Sequence, residues 1–289
     1  MRVRLVAMAG QVTVAVGIGA AGCGSGPAAA PQASSATHAS PAAAPSTADP
    51  GAARFAALMR RLAAWSDTRH SVTATESVVA DGSRVRFDGL FTWGSAPGMD
   101  VWASTAHLGL QRLNSADKTE VLRVGDRYYY RVDPQAGGPL KGRHWMRSPV
   151  SYAPDASGAG VPGSLLNPAD ALRMLPDATG WTDLGAENVD DTVAHHYRGT
   201  VTRAALSADT SLAQASGGSP TAPLAGADSA ELDVWADAHG KPVHWVAVLG
   251  PGRSLALDLF TFGGPRTIIP PAARDTADEA AVRGRPAEV

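Results

Sequence analysis

Between residues 51 and 69, apolar side chains return every three or four positions. Phe55, Leu58, Met59, Leu62 and Trp65 fall on one stripe, and this spacing predicts a helix whose stripe ends at Ser66-Asp67. From Ser71 the period changes to two. Ser71 to Val79 is rich in Thr and Val, and Asp81-Gly82 marks a hairpin turn. Val85, Phe87, Gly89, Phe91 and Trp93 then alternate with Arg86, Asp88, Leu90 and Thr92, which predicts a strand with one wet face. Further runs of this type are read at 108–113, 119–124, 128–132, 144–146, 181–189, 193–201, 230–237, 242–249, 254–262 and 267–269. A second helix is predicted over 167–175, with Asn167 as cap, Pro168 at the first helical position, and Leu172 and Leu175 on its apolar side. Segment 204–226 breaks the rhythm; it is small and polar, with a short helix near Leu206 to Leu212. Residues from about 275 read as a polar, flexible tail. Short connections make sequential strands pair antiparallel, so the class is α+β, mainly β, with about 10–11 strands and two or three helices.

The N-terminus carries a different pattern. Arg2 and Arg4 precede a short apolar run, Leu5 to Gly22, which describes a secretory signal over residues 1–22. Glycines and the polar Gln11 and Thr13 interrupt the run, so it falls short of the roughly 20 strongly apolar residues of a membrane span. It ends Ala20-Ala21-Gly22-Cys23, which resembles the lipobox of bacterial lipoproteins, where the Cys is diacylated and becomes the new N-terminus. The resemblance implies a Cys23-linked lipid on the outer face of the cell membrane. The alternative is plain signal cleavage near Ala21 or Ala30, giving a soluble secreted protein. Residues 24–50 are Ala, Pro, Ser, Gly and Thr with nothing large, a composition that forms no packed core. They read as a tether of about 30 Å root-mean-square span. The domain proper is then 51–274, enough for one sizeable core.

Composition removes several classes of function. Cys23 is the only cysteine, so the mature domain holds no disulfide and no thiolate metal site. With 25 basic and 27 acidic residues, the chain has no electrostatic footprint for nucleic acid. His195-His196 are neighbours on a strand and point to opposite faces, so they do not share one ion. No His-Glu-x-x-His pattern occurs, and the only spacing near Gly-x-Ser-x-Gly lies in the signal and tether around Cys23. Asp88 and Glu120 sit on separate strands and form a carboxylate pair only if folding brings them together.

Several pieces, taken in order along most of residues 55–275, resemble the actinobacterial lipoproteins of the LppX/LprG type and the related lipoprotein carrier LolA. They are the lipobox, the leading helix, the Gly-bounded hairpin Val121 to Tyr129, and the helix entry Leu165-Leu166-Asn167-Pro168. The hairpins Glu187 to Tyr197 and Asp233 to Pro242 and the closing Phe260-Thr261-Phe262-Gly263-Gly264-Pro265 follow. The chain departs at Asp191, where that family usually has Gly, and at 204–228, where it usually has a longer helix. The resemblance implies a LolA-like unclosed antiparallel β half-barrel with helices on its concave face and an apolar cavity between the layers. It also implies a lipid, glycolipid or other apolar ligand. Each methylene moved out of water would contribute about 0.8 kcal/mol.

The inward-facing sets supply the cavity candidates: Leu58, Leu62, Phe87, Phe91, Tyr128, Tyr130, Leu172, Tyr197, Val234 and Trp245. For each one the bland alternative is plain core. The reading is a non-enzymatic envelope lipoprotein, free of cofactor and metal, that binds or carries an apolar molecule. The alternative is an envelope interaction or sensing module with no internal ligand, touching a protein partner through the outer sheet face and segment 204–228. A hydrolytic enzyme has the least support.

Overall fold

The computed structural model describes residues 50–80, 82–149, 151–152, 166–209 and 221–284. The signal, Cys23 and the tether lie outside these residues, as do Leu165 and most of the irregular segment after Ala208.

Helix α1 (Pro50–Thr68) leads into β1 (Ser71–Ala80), β2 (Ser83–Thr92), β3 (Gly98–Ser104), β4 (Lys118–Val124), β5 (Arg127–Arg131) and β6 (Trp145–Ser148). Helix α2 (Pro168–Arg173) follows, then β7 (Thr179–Val189), β8 (Thr192–Thr202) and the short α3 (Arg203–Ala208). The chain returns with β9 (Ser229–Asp237), β10 (Pro242–Gly250), β11 (Arg253–Gly263), β12 (Thr276–Asp278) and α4 (Glu279–Val282). All strands join one sheet in the order β12-β6-β5-β4-β3-β2-β1-β11-β10-β9-β8-β7. The two outer strands do not pair, so the sheet is an open, mainly β half-barrel, as the sequence implies. Its one non-hairpin step in the middle is β1 against β11, which closes the first hairpins onto the last ones.

The predicted caps and turns explain the local geometry. Asn167 accepts a hydrogen bond from the Ala169 N–H at 3.0 Å and Pro168 opens α2, as the cap pattern requires. The β7–β8 hairpin turns on Asp190 and Asp191, both at positive φ (45° and 63°). This is the geometry of a two-residue primed turn, so the departure from glycine at Asp191 leaves the turn type intact and the backbone strained. Gly89 marks a close approach of two strands: a Cβ there would collide with the Asp100 carbonyl oxygen of β3.

Four expectations change. The run 108–113 is a series of turns rather than a strand, because Leu108 and Leu110 fold into the core and the backbone bonds locally, Leu110 to Leu113. The run 267–269 forms no strand and does not pair in the sheet; Ile268 packs over Gly98. Strand β3 was not anticipated, since Gly98 to Ser104 is short and follows Gly and Pro, which read as loop. Residues 275–284, expected as a flexible tail, extend the domain: β12 pairs in parallel with β6. Ala277 is buried against the sheet, Arg147 pairs with Asp278 at 2.7 Å and Ser148 donates to Glu279 at 2.6 Å. Only three residues pair there, too few to show as alternation.

Candidate functional site

The concave face carries rows of side chains that run across the strands. Strand pairing sets Phe87, Glu76, Leu257, Trp245, Val234 and Tyr197 side by side in one such row, from β2 to β8. The helices cover the two ends of this row differently.

Over β1 to β4 lies α2 with Leu166 just before it. Leu166 N–H donates to Glu76 Oε1 at 2.8 Å, and Asn167 and Leu166 approach Phe91, Met99 and Arg123. Here the layers are filled. Phe87, Phe91, Tyr128, Tyr130 and Leu172 are all buried in one continuous core. The gap left among Phe91, Gly98, Met99, Arg123, Leu166 and Asn167 is about 10 Å³, the size of a single water. Tyr130 stacks on Tyr152 with ring centroids 4.6 Å apart, and its hydroxyl accepts the Tyr152 N–H at 2.7 Å.

Over β8 to β11 lies α1. Two indoles fasten it at its C-terminal end. Trp65 Nε1 donates to the Gly240 carbonyl in the β9–β10 turn at 2.9 Å, and Trp93 Nε1 donates to the Ser66 carbonyl at 2.7 Å. Trp65 also packs on Phe262 of β11 at 5.3 Å. Nearer its N-terminus α1 touches the sheet through Phe55, which meets Tyr197 edge-on at 6.4 Å. Between these contacts lies a groove of about 710 Å³. Its roof is Leu58, Arg61, Leu62 and Trp65, the i, i+3, i+4, i+7 stripe of α1. Its floor is Val193, His195 and Tyr197 of β8 with Ala236 of β9, and the turn Asp237 to Gly240 closes one end. A volume of this size lies within the roughly 300–1,000 Å³ of small-molecule sites.

Of the ten sequence candidates, Leu58, Leu62 and Tyr197 line the groove. Phe91 borders the small gap under α2. Phe87, Tyr128, Tyr130, Leu172, Val234 and Trp245 pack in the surrounding core. Sequence reading missed Arg61, Trp65, Val193, His195, Ala236 and His239. Arg61 and Trp65 could have been found from their place on the α1 stripe. The turn residues could not, because nothing local places the β9–β10 turn beneath α1.

The groove's electrostatics are uneven. Arg61 makes no salt bridge among the described residues, and neither does His239. Asp237 is committed to its own turn, its Oδ1 accepting the N–H groups of His239 and Lys241 at 2.9 Å each. His195 Nδ1 lies 3.8 Å from Asp183. Burial raises the Tyr197 hydroxyl above its ordinary range, as does Asp183, while Arg54 and Arg61 oppose the rise.

Two further polar features lie outside the groove. On the opposite face of β8, His196 is held between Glu187 (Nδ1, 2.7 Å) and Asp233 (Nε2, 2.6 Å), stacks on Trp235 at 4.0 Å, and neighbours Arg198 on Asp233 at 2.8 Å. The two histidines thus serve different faces, and no His/Asp/Glu cluster with metal-ligand geometry occurs among the described residues. In the centre of the inner row, Glu76 is fully buried and its Oε2 has no hydrogen-bond partner among the described residues. Burial pushes its carboxyl up to about 8, against which the Leu166 N–H acts only in part. Asp88 and Glu120 do not pair; Asp88 accepts from Thr75 at 2.8 Å and Glu120 binds Arg131 at 3.0 Å.

No protein-family model matches the chain. No curated protein matches it either. Among solved structures, two of the lipoprotein type that the sequence motifs resemble are similar to it. LprF from Mycobacterium bovis shares 12% identity at a TM-score of 0.42, over 76% of this chain and 98% of that one. Lipoprotein LppX from Mycobacterium tuberculosis shares 13% identity at 0.42, over 75% and 99%. A LolA superfamily protein from Nitrosomonas europaea shares 10% identity at 0.25, over 74% and 94%. The half-barrel architecture stands on the strand order and register themselves, and no ligand or activity passes from these proteins at such similarity.

Proposed function

We propose that this protein is a non-enzymatic envelope lipoprotein that binds or carries an acyl lipid, or another apolar molecule, in the groove beneath α1. The observation that carries the reading is the contrast in packing: the layers meet tightly under α2 and leave about 710 Å³ under α1, walled by Leu58, Leu62, Trp65, Val193 and Ala236. The apolar part of such a hollow gains from an apolar occupant, at about 0.8 kcal/mol per methylene before ordering costs. The lipobox at Cys23 supports attachment to the outer face of the membrane, and the resemblance to the LppX/LprG type supports a lipid ligand.

The direct test extracts protein purified from a bacterial membrane with organic solvent and examines the extract by mass spectrometry. Wild-type protein should carry stoichiometric lipid, and Ala236→Trp, which fills the groove from its floor, should carry little. Clean wild-type extracts together with no uptake of added lipid would reject the proposal. Replacing Cys23 with Ser should move the protein from the membrane to the soluble fraction; unchanged fractionation would remove the anchor from the reading.

A further inference from the structure

The groove is not uniformly greasy. Between Pro50 and Ser66, α1 carries Arg54, Arg60 and Arg61 and no acidic residue; its sole acid, Asp67, is engaged by Arg173 at 3.4 Å. Arg61 lines the groove between Leu58 and Leu62, without a carboxylate within salt-bridge distance among the described residues. His195 stands on the floor and His239 on the closing turn. The one acid in the lining, Asp237, is held by the turn's own N–H groups. The wall therefore mixes apolar side chains with one guanidinium that has no carboxylate within salt-bridge distance among the described residues, and the lining's one carboxylate, Asp237, is hydrogen-bonded within its own turn.

Resting on the reading of the groove as an acyl site, we propose that its occupant is a single-chain lipid with an anionic headgroup, whose charge meets Arg61. A guanidinium presents a fork of donors that suits a phosphate or carboxylate, and hydrogen bonds to charged groups are the stronger kind. His195 and His239 offer ring nitrogens as further donors on either side. The tail lies along Leu58, Leu62, Trp65, Val193 and Ala236. A zwitterionic or neutral lipid would use the same apolar wall and leave the Arg61 contact unmade.

Trp65 lines the groove, so a brominated tail quenches its fluorescence on binding. The experiment titrates the intact, lipid-stripped protein with bromostearoyl lysophosphatidylglycerol and bromostearoyl lysophosphatidylcholine, both below their micelle concentrations. The glycerol lipid should bind roughly ten-fold tighter, the worth of one charge-assisted contact. Arg61→Gln should erase that preference and leave the choline lipid's affinity unchanged. Arg60→Gln, an adjacent cation outside the groove, should leave the preference intact. Trp65→Phe should remove most of the quenching. Equal wild-type affinities, a preference that survives Arg61→Gln, or the same loss in Arg60→Gln would overturn the headgroup assignment while leaving an acyl groove. Quenching by neither lipid, or quenching that persists in Trp65→Phe, would overturn the groove reading and the assignment together.

Discussion

The two ends of the concave face begin from the same material. Both are antiparallel strands whose inward positions are apolar or aromatic, and both are covered by a helix. Around α2, Leu166, Leu172 and, past the helix, Met174 and Leu175 are all buried in one core with Phe87, Phe91, Tyr128 and Tyr130. Large side chains from both layers fill the space. Under α1 the floor carries Ala236, and Trp65 reaches from the helix to the Gly240 carbonyl at one end of the groove. Here a hollow remains beside a small floor residue. The difference shows that a hollow in this architecture needs no special residue type. It needs a helix fixed at a distance that the side chains below it do not fill.

The comparison can be broken most forcefully in the filled half. Phe87→Ala removes a buried ring from the tightly packed end and should cost about 3–5 kcal/mol in urea unfolding. Leu58→Ala, in the groove roof, should cost under about 1.5 kcal/mol and act on lipid affinity instead. Equal losses would mean that the groove is packed as tightly as the core.

Next in size is Glu76, which lies on the boundary between the halves. Its carboxyl stands at about 8 in the folded state and 4.5 ordinarily. Between these values the folded protein keeps a proton that the unfolded chain has released. Stability therefore falls as pH rises from about 4.5 through 8, by up to roughly 1.4 kcal/mol per pH unit, and the effect levels off above that range. Glu76→Gln should flatten this dependence and leave the protein more stable than wild type at pH 8. A wild-type profile that does not fall across this interval would show that Glu76 has a charge partner or water that the core otherwise lacks.

The smallest effect is expected at the β7–β8 turn, beside the groove floor. Asp191 holds a left-handed backbone that glycine adopts without strain. Asp191→Gly should stabilise the protein by a few tenths of a kcal/mol to about 1 kcal/mol in thermal unfolding, with lipid binding unchanged. A loss of stability would show that the Asp191 side chain does more than fill the turn.

Much of the fold was legible because it is written in local periods. The α1 stripe, the Asn167-Pro168 helix start, and the alternation of Val85 to Trp93 and of Val193 to Val201 each fix an element without reference to the rest of the chain. What escaped was short or irregular. Strand β3 hides behind Gly98, β12 is three residues long, and Leu108 to Leu113 carries strand-like residues but turns to bury them. For the groove, Leu58, Leu62 and Tyr197 were within reach because inward-facing apolar residues of a covering helix and a strand are its natural lining. Ala236 was not, since a small residue on a strand reads as unremarkable core, and His239 looked like part of a turn.

By itself the sequence determined the period of each main element, the antiparallel character of the sheet and the sets of side chains that face inward. These depend on neighbours within a few residues, so one dimension is enough to carry them. Only the tertiary structure decided which inward residues touch and which stand apart. That choice depends on how α1 docks over β8 and β9, through contacts such as Trp65 with Gly240, 175 positions away along the chain. The size of a hollow is a difference between distant surfaces, and no local pattern records it.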